Sequence, residues 1–145
     1  MSNPVIICAA LTGAATFKQN NPSVPYTLEE FATEAEKCRQ AGAAMVHVHA
    51  RTDDGDSTHE IARVQAVYDA IKERCPDLII CLSSAVGAFK TAEQRLAQIL
   101  AVRPEMASLN TNTMNFSIMD RNTGQIFFDY VFENTFTMLQ DFGKA

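Results

Sequence analysis

The residues in this sequence best suited to chemistry are His47, His49 and Arg51, spaced two apart in the stretch Ala44-Met45-Val46-His47-Val48-His49-Ala50-Arg51. A β-strand sends alternate side chains to opposite faces, so these three share one face and Val46 and Val48 take the other. Two neutral imidazoles on one strand face can reach a single ion, and imidazole is a common ligand for zinc and related metals. A strand histidine also serves packing or hydrogen bonding, and the spacing by itself leaves both roles open. A catalytic zinc takes three protein ligands and an open position. Asp53, Asp54, Asp56 and His59 follow on a polar segment that reaches the ion only by folding back; the aspartates read as a solvated turn and His59 as a surface or helix-start residue. Arg51 either meets a substrate carboxylate or braces a neighbouring acid. Thr12, Ser83, Ser84, Ser108 and Asn110 fall at other strand ends. No base stands at a readable spacing from the serines, which argues against nucleophilic catalysis. Substrate contact, capping and turn formation remain for them.

The elements that must position these groups read as an α/β succession. Val5 to Ala10 is a short apolar run, expected as a strand buried on both faces, as in a parallel sheet. Small residues and a loop containing Pro22 and Pro25 follow it. Thr27-Leu28-Glu29-Glu30 is a capping box opening a helix over 28–41, with Leu28, Phe31, Ala32, Ala35 and Cys38 on one stripe and Gly42 at its end. The histidine strand over 44–50 comes next, so the order is strand, helix, strand with a right-handed crossover. A helix over 60–74 carries Ile61, Val64, Val67, Tyr68 and Ile71 at helical spacing, and 78–82 is a third strand. Thr91 and Gln94 form a second capping box for a helix over 92–102, Pro104 stops it, and 106–109 is a fourth strand. Asn122-Thr123-Gly124 is a turn between extended pieces, and 134–143 is a helix. Four strand-then-helix units predict a parallel α/β architecture, either doubly wound or a (β/α)8 barrel. A full barrel takes roughly 250 residues, about twice this length. No phosphate-binding glycine fingerprint is present.

Composition narrows the function classes. The 145 residues suffice for one domain with a real core, and 47% hydrophobic with 20% charged residues is the balance of a soluble globular protein. A net charge of −5 with scattered Lys and Arg argues against a nucleic-acid partner. No segment has the length or apolarity of a membrane span or a signal peptide. Cys8, Cys38, Cys75 and Cys81 form no CxxC pair, which suggests small buried residues in a reducing, cytoplasmic setting.

Several segments in order, ALTGA (10–14), NPSVPYT (21–27), QAGAAMVHVHAR (40–51), PDLII (76–80) and RPEMASLNTNTMNF (103–116), resemble the β-keto acid cleavage enzyme family, to which 3-keto-5-aminohexanoate cleavage enzyme belongs. The resemblance implies a TIM barrel of which residues 1–145 are the N-terminal half, as a fragment of a single-domain protein. It implies a zinc ion on His47 and His49, and a retro-Claisen-type exchange in which a β-keto acid and acetyl-CoA give acetoacetate and a new acyl-CoA. It implies substrate contacts from Ser83, Ser108 and Asn110, and from the small loop Ser84 to Gly87 through its backbone N–H groups. A homo-oligomer is the expected assembly. The third zinc ligand, a glutamate, and the general base are expected beyond residue 145. Amino-substrate members carry a glutamate just after TGA; Ala15 stands there, which predicts an uncharged or apolar substrate side chain. Two readings compete: a metal-dependent hydrolase of amidohydrolase type, and an inactive half-barrel that only packs on a partner.

Overall fold

The computed structural model of the chain describes residues 3–85 and 90–145. Four parallel strands form one sheet in chain order: β1 (Cys8–Ala10), β2 (Met45–Val48), β3 (Ile79–Leu82) and β4 (Met106–Ala107). Helices α1 (Leu28–Gln40), α2 (Ile61–Arg74) and α3 (Ala92–Val102) connect them. An antiparallel hairpin, β5 (Met114–Met119) with β6 (Ile126–Phe132), follows β4, and α4 (Phe136–Lys144) follows the hairpin. The fourth strand–helix unit is thus interrupted by a hairpin where the sequence suggested a turn between short pieces.

Both capping boxes form. The Thr27 hydroxyl accepts from the Glu30 N–H at 3.2 Å and the Glu30 carboxylate accepts from the Thr27 N–H at 3.0 Å. Thr91 and Gln94 repeat the pattern at α3. Gly42 follows α1 at φ +101°, a left-handed conformation that costs glycine little.

The core lies between the sheet and its helices. Phe31 and Ala35 of α1 and Val64, Val67 and Ile71 of α2 pack on Val46 and Val48 of β2 and on Ile80 and Leu82 of β3. Parallel partners share a face, so the opposite, inner face is built in layers: Cys8, Met45 and Ile79, then Ala10, His47, Cys81 and Met106.

Three expectations need correction. Val5 to Ala10 is not buried on both faces. Cys8–Ala10 pair as strand, and Val5, Ile6 and Ile7 are 80%, 77% and 50% exposed, because among the described residues β1 is an edge strand with β2 as its one neighbour. Cys8 is exposed for the same reason, whereas Cys75 and Cys81 are buried as expected. Ile61 opens α2 on its solvent side, 44% exposed, and Val64, Val67 and Ile71 carry the buried stripe without it.

Candidate active site and metal pair

The alternation read from the sequence holds at the histidines. Val46 and Val48 are 0% and 1% exposed against the helices, while His47 and His49 are half-buried on the inner side. Their ring centroids are 5.1 Å apart. Two imidazoles on one tetrahedral ion, each with a metal–nitrogen bond of about 2.0–2.1 Å, place their centroids about 5 Å apart, so the pair fits a shared metal. Burial holds the His47 pKa below the usual histidine value. It lowers His49 to about 4, helped by the neighbouring His47 and Arg51. Both rings are therefore neutral at pH 7, the form that ligates a metal. Among the described residues no third Cys, His, Asp or Glu joins them in a ligating group.

The pair opens into a cavity of about 950 Å3. Ser83, Ser108 and Asn110 line it, with Ala14 and Ala15 of the loop after β1 and Gln98 of α3. Its far side is chiefly one face of the hairpin, Met114, Phe116 and Ile118 from β5 and Phe128, Tyr130 and Phe132 from β6, and Phe127 lines it as well. The rings interlock, with Phe128–Tyr130 centroids 5.0 Å apart and Phe116–Tyr130 5.5 Å. Among the described lining residues none is Asp, Glu, Lys or Arg.

The structure separates the expected site residues. Ser83 lies on the cavity side; its N–H donates to the Val48 carbonyl at 3.0 Å and its hydroxyl accepts from the Ala85 N–H at 3.2 Å. Ser84 is buried and does not line the cavity, because strand alternation turns it to the helix side. There its carbonyl accepts from Arg95 Nε at 3.1 Å, and its N–H donates to the Ser108 hydroxyl at 3.2 Å. The Ser84 and Ala85 N–H groups, expected to hold a carboxylate, are thus both bonded within the protein. Gly87 lies outside the described residues. Asp53, Asp54 and Asp56 are exposed, as their reading as a solvated turn requires, and Asp53 pairs with Arg63 at 2.6 Å. His59 stands just before α2, exposed, at the cavity edge.

Arg51 takes neither role offered by the sequence. It is 0% exposed, absent from the cavity lining, and meets carbonyls: Nη1 donates to Gly55 at 2.6 Å, and Nη2 to Gly13 at 2.6 Å and Thr16 at 2.9 Å. Its position beyond the end of β2, in a tight turn where it bridges to Ser57, takes it out of the plain alternation. Sequence reading missed Arg95 and Gln98. Both lie on the buried side of α3 and grip the loop after β3, Gln98 Nε2 donating to the Ser83 carbonyl at 2.7 Å. An arginine in step with Ala92 and Val102 on the buried stripe was the available signal.

Several curated proteins are similar to this chain in sequence. The chain is 41% identical over 144 residues to a 3-keto-5-aminohexanoate cleavage enzyme of Fusobacterium nucleatum, covering 99% of this chain and 49% of that protein. It is 42% identical over 140 residues to the enzyme of the same name from Acetoanaerobium sticklandii, covering 97% and 47%. It is 36% identical over 116 residues to a 3-oxoadipate:acetyl-CoA acetyltransferase of Cupriavidus necator, covering 80% and 40%. The chain thus spans about half the length of the curated relatives it matches most fully. A solved structure titled as a ternary complex of ObcA with C4-CoA adduct and oxalate superposes with a TM-score of 0.61 at 23% identity, covering 85% of this chain and 29% of that one. The fold is accordingly that of a TIM-barrel family, of which this chain carries about half. The sequence profile of the beta-keto acid cleavage enzymes matches residues 4–145, and the chain belongs to that family.

Proposed function

We propose that these 145 residues form the N-terminal half of a zinc-dependent β-keto acid cleavage enzyme that condenses a β-keto acid with acetyl-CoA to give acetoacetate and a new acyl-CoA. The observation that carries this reading is the neutral His47–His49 pair, 5.1 Å apart and open to a cavity lined by Ser83, Ser108 and Asn110, in a chain of this family. His47 and His49 hold the metal, which when bound supplies a Lewis acid for the β-keto carbonyl and the enolate derived from it. The Ser83 and Ser108 hydroxyls and the Asn110 amide offer hydrogen bonds to the substrate's carboxylate and carbonyl oxygens. The third metal ligand and the general base come from outside these residues.

The hairpin wall carries the substrate's side chain. No Asp, Glu, Lys or Arg is among the described residues that line this cavity, which favours an uncharged, apolar substituent, and a cationic amine beside Ala15 meets no carboxylate among those residues. A hydrolase of amidohydrolase type is disfavoured because the histidine pair sits on β2 after a complete strand and helix.

Metal analysis of the full gene product tests the proposal first: one zinc per protein is expected, and none in His47→Ala/His49→Ala. Absence of metal from the wild type supports the inactive half-barrel reading instead. Product analysis with acetyl-CoA and a panel of β-keto acids tests the rest. Acetoacetate formed fastest from apolar substrates is the expected result; preference for an amino-substituted substrate overturns the side-chain assignment.

A further inference from the structure

The pairing of β1 with β2 ends in an irregular way that bears on His49. The register runs Cys8 with Met45, Ala9 with Val46 and Ala10 with His47, and its last backbone bond is from the Leu11 N–H to the His47 carbonyl at 3.0 Å. A continued ladder would give both backbone groups of His49 to the backbone of β1. Both go instead to one side-chain atom. The His49 N–H donates to Thr12 Oγ1 at 2.8 Å, and the same hydroxyl donates to the His49 carbonyl at 2.8 Å. Thr12 is 3% exposed, so no bulk water replaces it.

This substitution lets the chain leave the sheet at Gly13 while His49 stays paired as though still in a strand. The departing segment is then caught from the other side. Arg51, two residues beyond His49, takes the carbonyls of Gly13 and Thr16, and its planar group lies over the Phe17 ring with 4.7 Å to the centroid. Ala14 and Ala15, held between these anchor points, line the cavity. The backbone of His49 and the loop facing it are thus fixed by two buried side chains that touch neither cavity nor metal position.

We propose that Thr12 and Arg51 are positioning residues: a hydroxyl clasp on the His49 backbone and a guanidinium anchor on the loop after β1 that together set where the His49 ring stands. The inference rests on the metal reading above for its consequence, but not for the clasp itself. Thr12→Val keeps the shape and removes the hydroxyl, leaving a buried N–H and a buried carbonyl unpaired; they are satisfied only if His49 shifts. Loss of partners that orient metal ligands costs about 10- to 100-fold in metal affinity.

Two readouts in the purified protein test this. Amide hydrogen exchange at His49, measured without metal, is expected to speed up at least tenfold in Thr12→Val and to stay at the wild-type rate in Thr12→Ser. Zinc affinity by chelator competition is expected to fall 10- to 100-fold in Thr12→Val and about tenfold in Arg51→Lys, whose single ammonium cannot reach three carbonyls. It should hold within about threefold in Thr12→Ser and in Val67→Ala, a core variant of α2 that lowers stability away from the site. Unchanged exchange in Thr12→Val, lost protection in Thr12→Ser, or an equal loss of zinc affinity in Val67→Ala each overturns the proposal. If Thr12→Val does not fold, the Thr12→Ser and Arg51→Lys arms decide. If the wild type binds no zinc, the metal reading fails and the exchange rates alone judge the clasp.

Discussion

Glu30 joins the entry of α1 to the loop that leaves β1, and removing its charge should loosen both. One carboxylate oxygen accepts from the Tyr26 and Thr27 N–H groups at 2.8 and 3.0 Å, and the other meets the Lys18 ammonium. Lys18 and these two backbone donors hold the Glu30 carboxyl at about 2, against an ordinary 4.5. A shift of that size sets a ceiling of about 3 kcal/mol at pH 7. The side chains of Lys18 and Glu30 are 36% and 38% exposed, so solvent screening takes most of the ion-pair share and leaves chiefly the capping bonds. Glu30→Gln keeps an oxygen for the two backbone donors, as Gln94 does at α3, but loses the charge that strengthens those bonds, so it is expected to cost about 0.5–1.5 kcal/mol at neutral pH, a urea midpoint lower by roughly 0.3–0.8 M. The pKa is depressed on folding, so the contribution is complete above about 4.5 and drains away as pH falls toward 2. By pH 3 the gap between wild type and Glu30→Gln should shrink to about half its neutral value or less. Urea titrations followed by circular dichroism at pH 7, 5 and 3 measure it. A gap that is absent at pH 7, or unchanged at pH 3, refutes the argument.

Other substitutions probe the site's supports. Gly55→Ala should cost about 2–3 kcal/mol in urea unfolding, since Gly55 has φ +96° and a Cβ there would stand 2.2 Å from the Tyr26 ring. Phe31→Ala, emptying a fully buried ring position against β2, should cost about 3–5 kcal/mol in the same assay. His49 titrates at about 4 when folded and near 6.5 when unfolded, so the stability tied to its neutral form is complete above 6.5 and lost as pH falls toward 4. In metal-free protein the fall in urea midpoint from pH 7 to 5 should therefore be shallower in His49→Asn than in wild type. Arg95→Met should cost about 2–4 kcal/mol despite its similar bulk, because it strands the buried Ser84 carbonyl and the buried Asn134 amide oxygen; wild-type stability in that variant would speak against the role given to Arg95.

What was legible in the sequence was whatever depends on local periodicity. The capping boxes at Thr27 and Thr91 set the helix starts, and the valine–histidine alternation set which face of β2 carries the imidazoles. Those features rest on contacts within a few residues, or on a period of two. Arg51 was misread because period two ends where the strand ends: beyond Val48 the chain turns, and the guanidinium finds carbonyls 35 and 38 positions away. Ser84 was expected to offer its N–H to a carboxylate; in the structure that N–H donates to the Ser108 hydroxyl, 24 positions away, while alternation puts the Ser84 side chain with the helices and Ser83 on the cavity. The exposure of Val5 to Ile7 depends on what stands beside β1, which no pattern within the strand encodes.

Arg51 and Arg95 share a logic that bears on how the strand ends are held. Both are buried, and neither forms an ion pair among the described residues. A buried cation without compensation costs several kcal/mol, so each must be solvated by the protein. Arg51 has the carbonyls of Gly13, Thr16 and Gly55 and the Phe17 ring face. Arg95 has the carbonyls of Ser84 and Glu133, the Asn134 amide oxygen, and the rings of Phe132 and Phe142 at 4.9 and 4.8 Å. Every carbonyl on that roll belongs to a loop beyond the end of a strand, where no ladder satisfies it. A carboxylate partner would satisfy only the arginine; carbonyl partners satisfy the loops as well. Each guanidinium therefore ties together segments that meet nowhere in the sheet: the turns after β1 and β2 for Arg51, and the loop after β3 with the exit of β6 for Arg95. With Thr12 closing the β1–β2 seam, the inner ends of β1, β2 and β3 are fixed by side chains directed away from the cavity, which leaves His47, His49 and Ser83 free to face it.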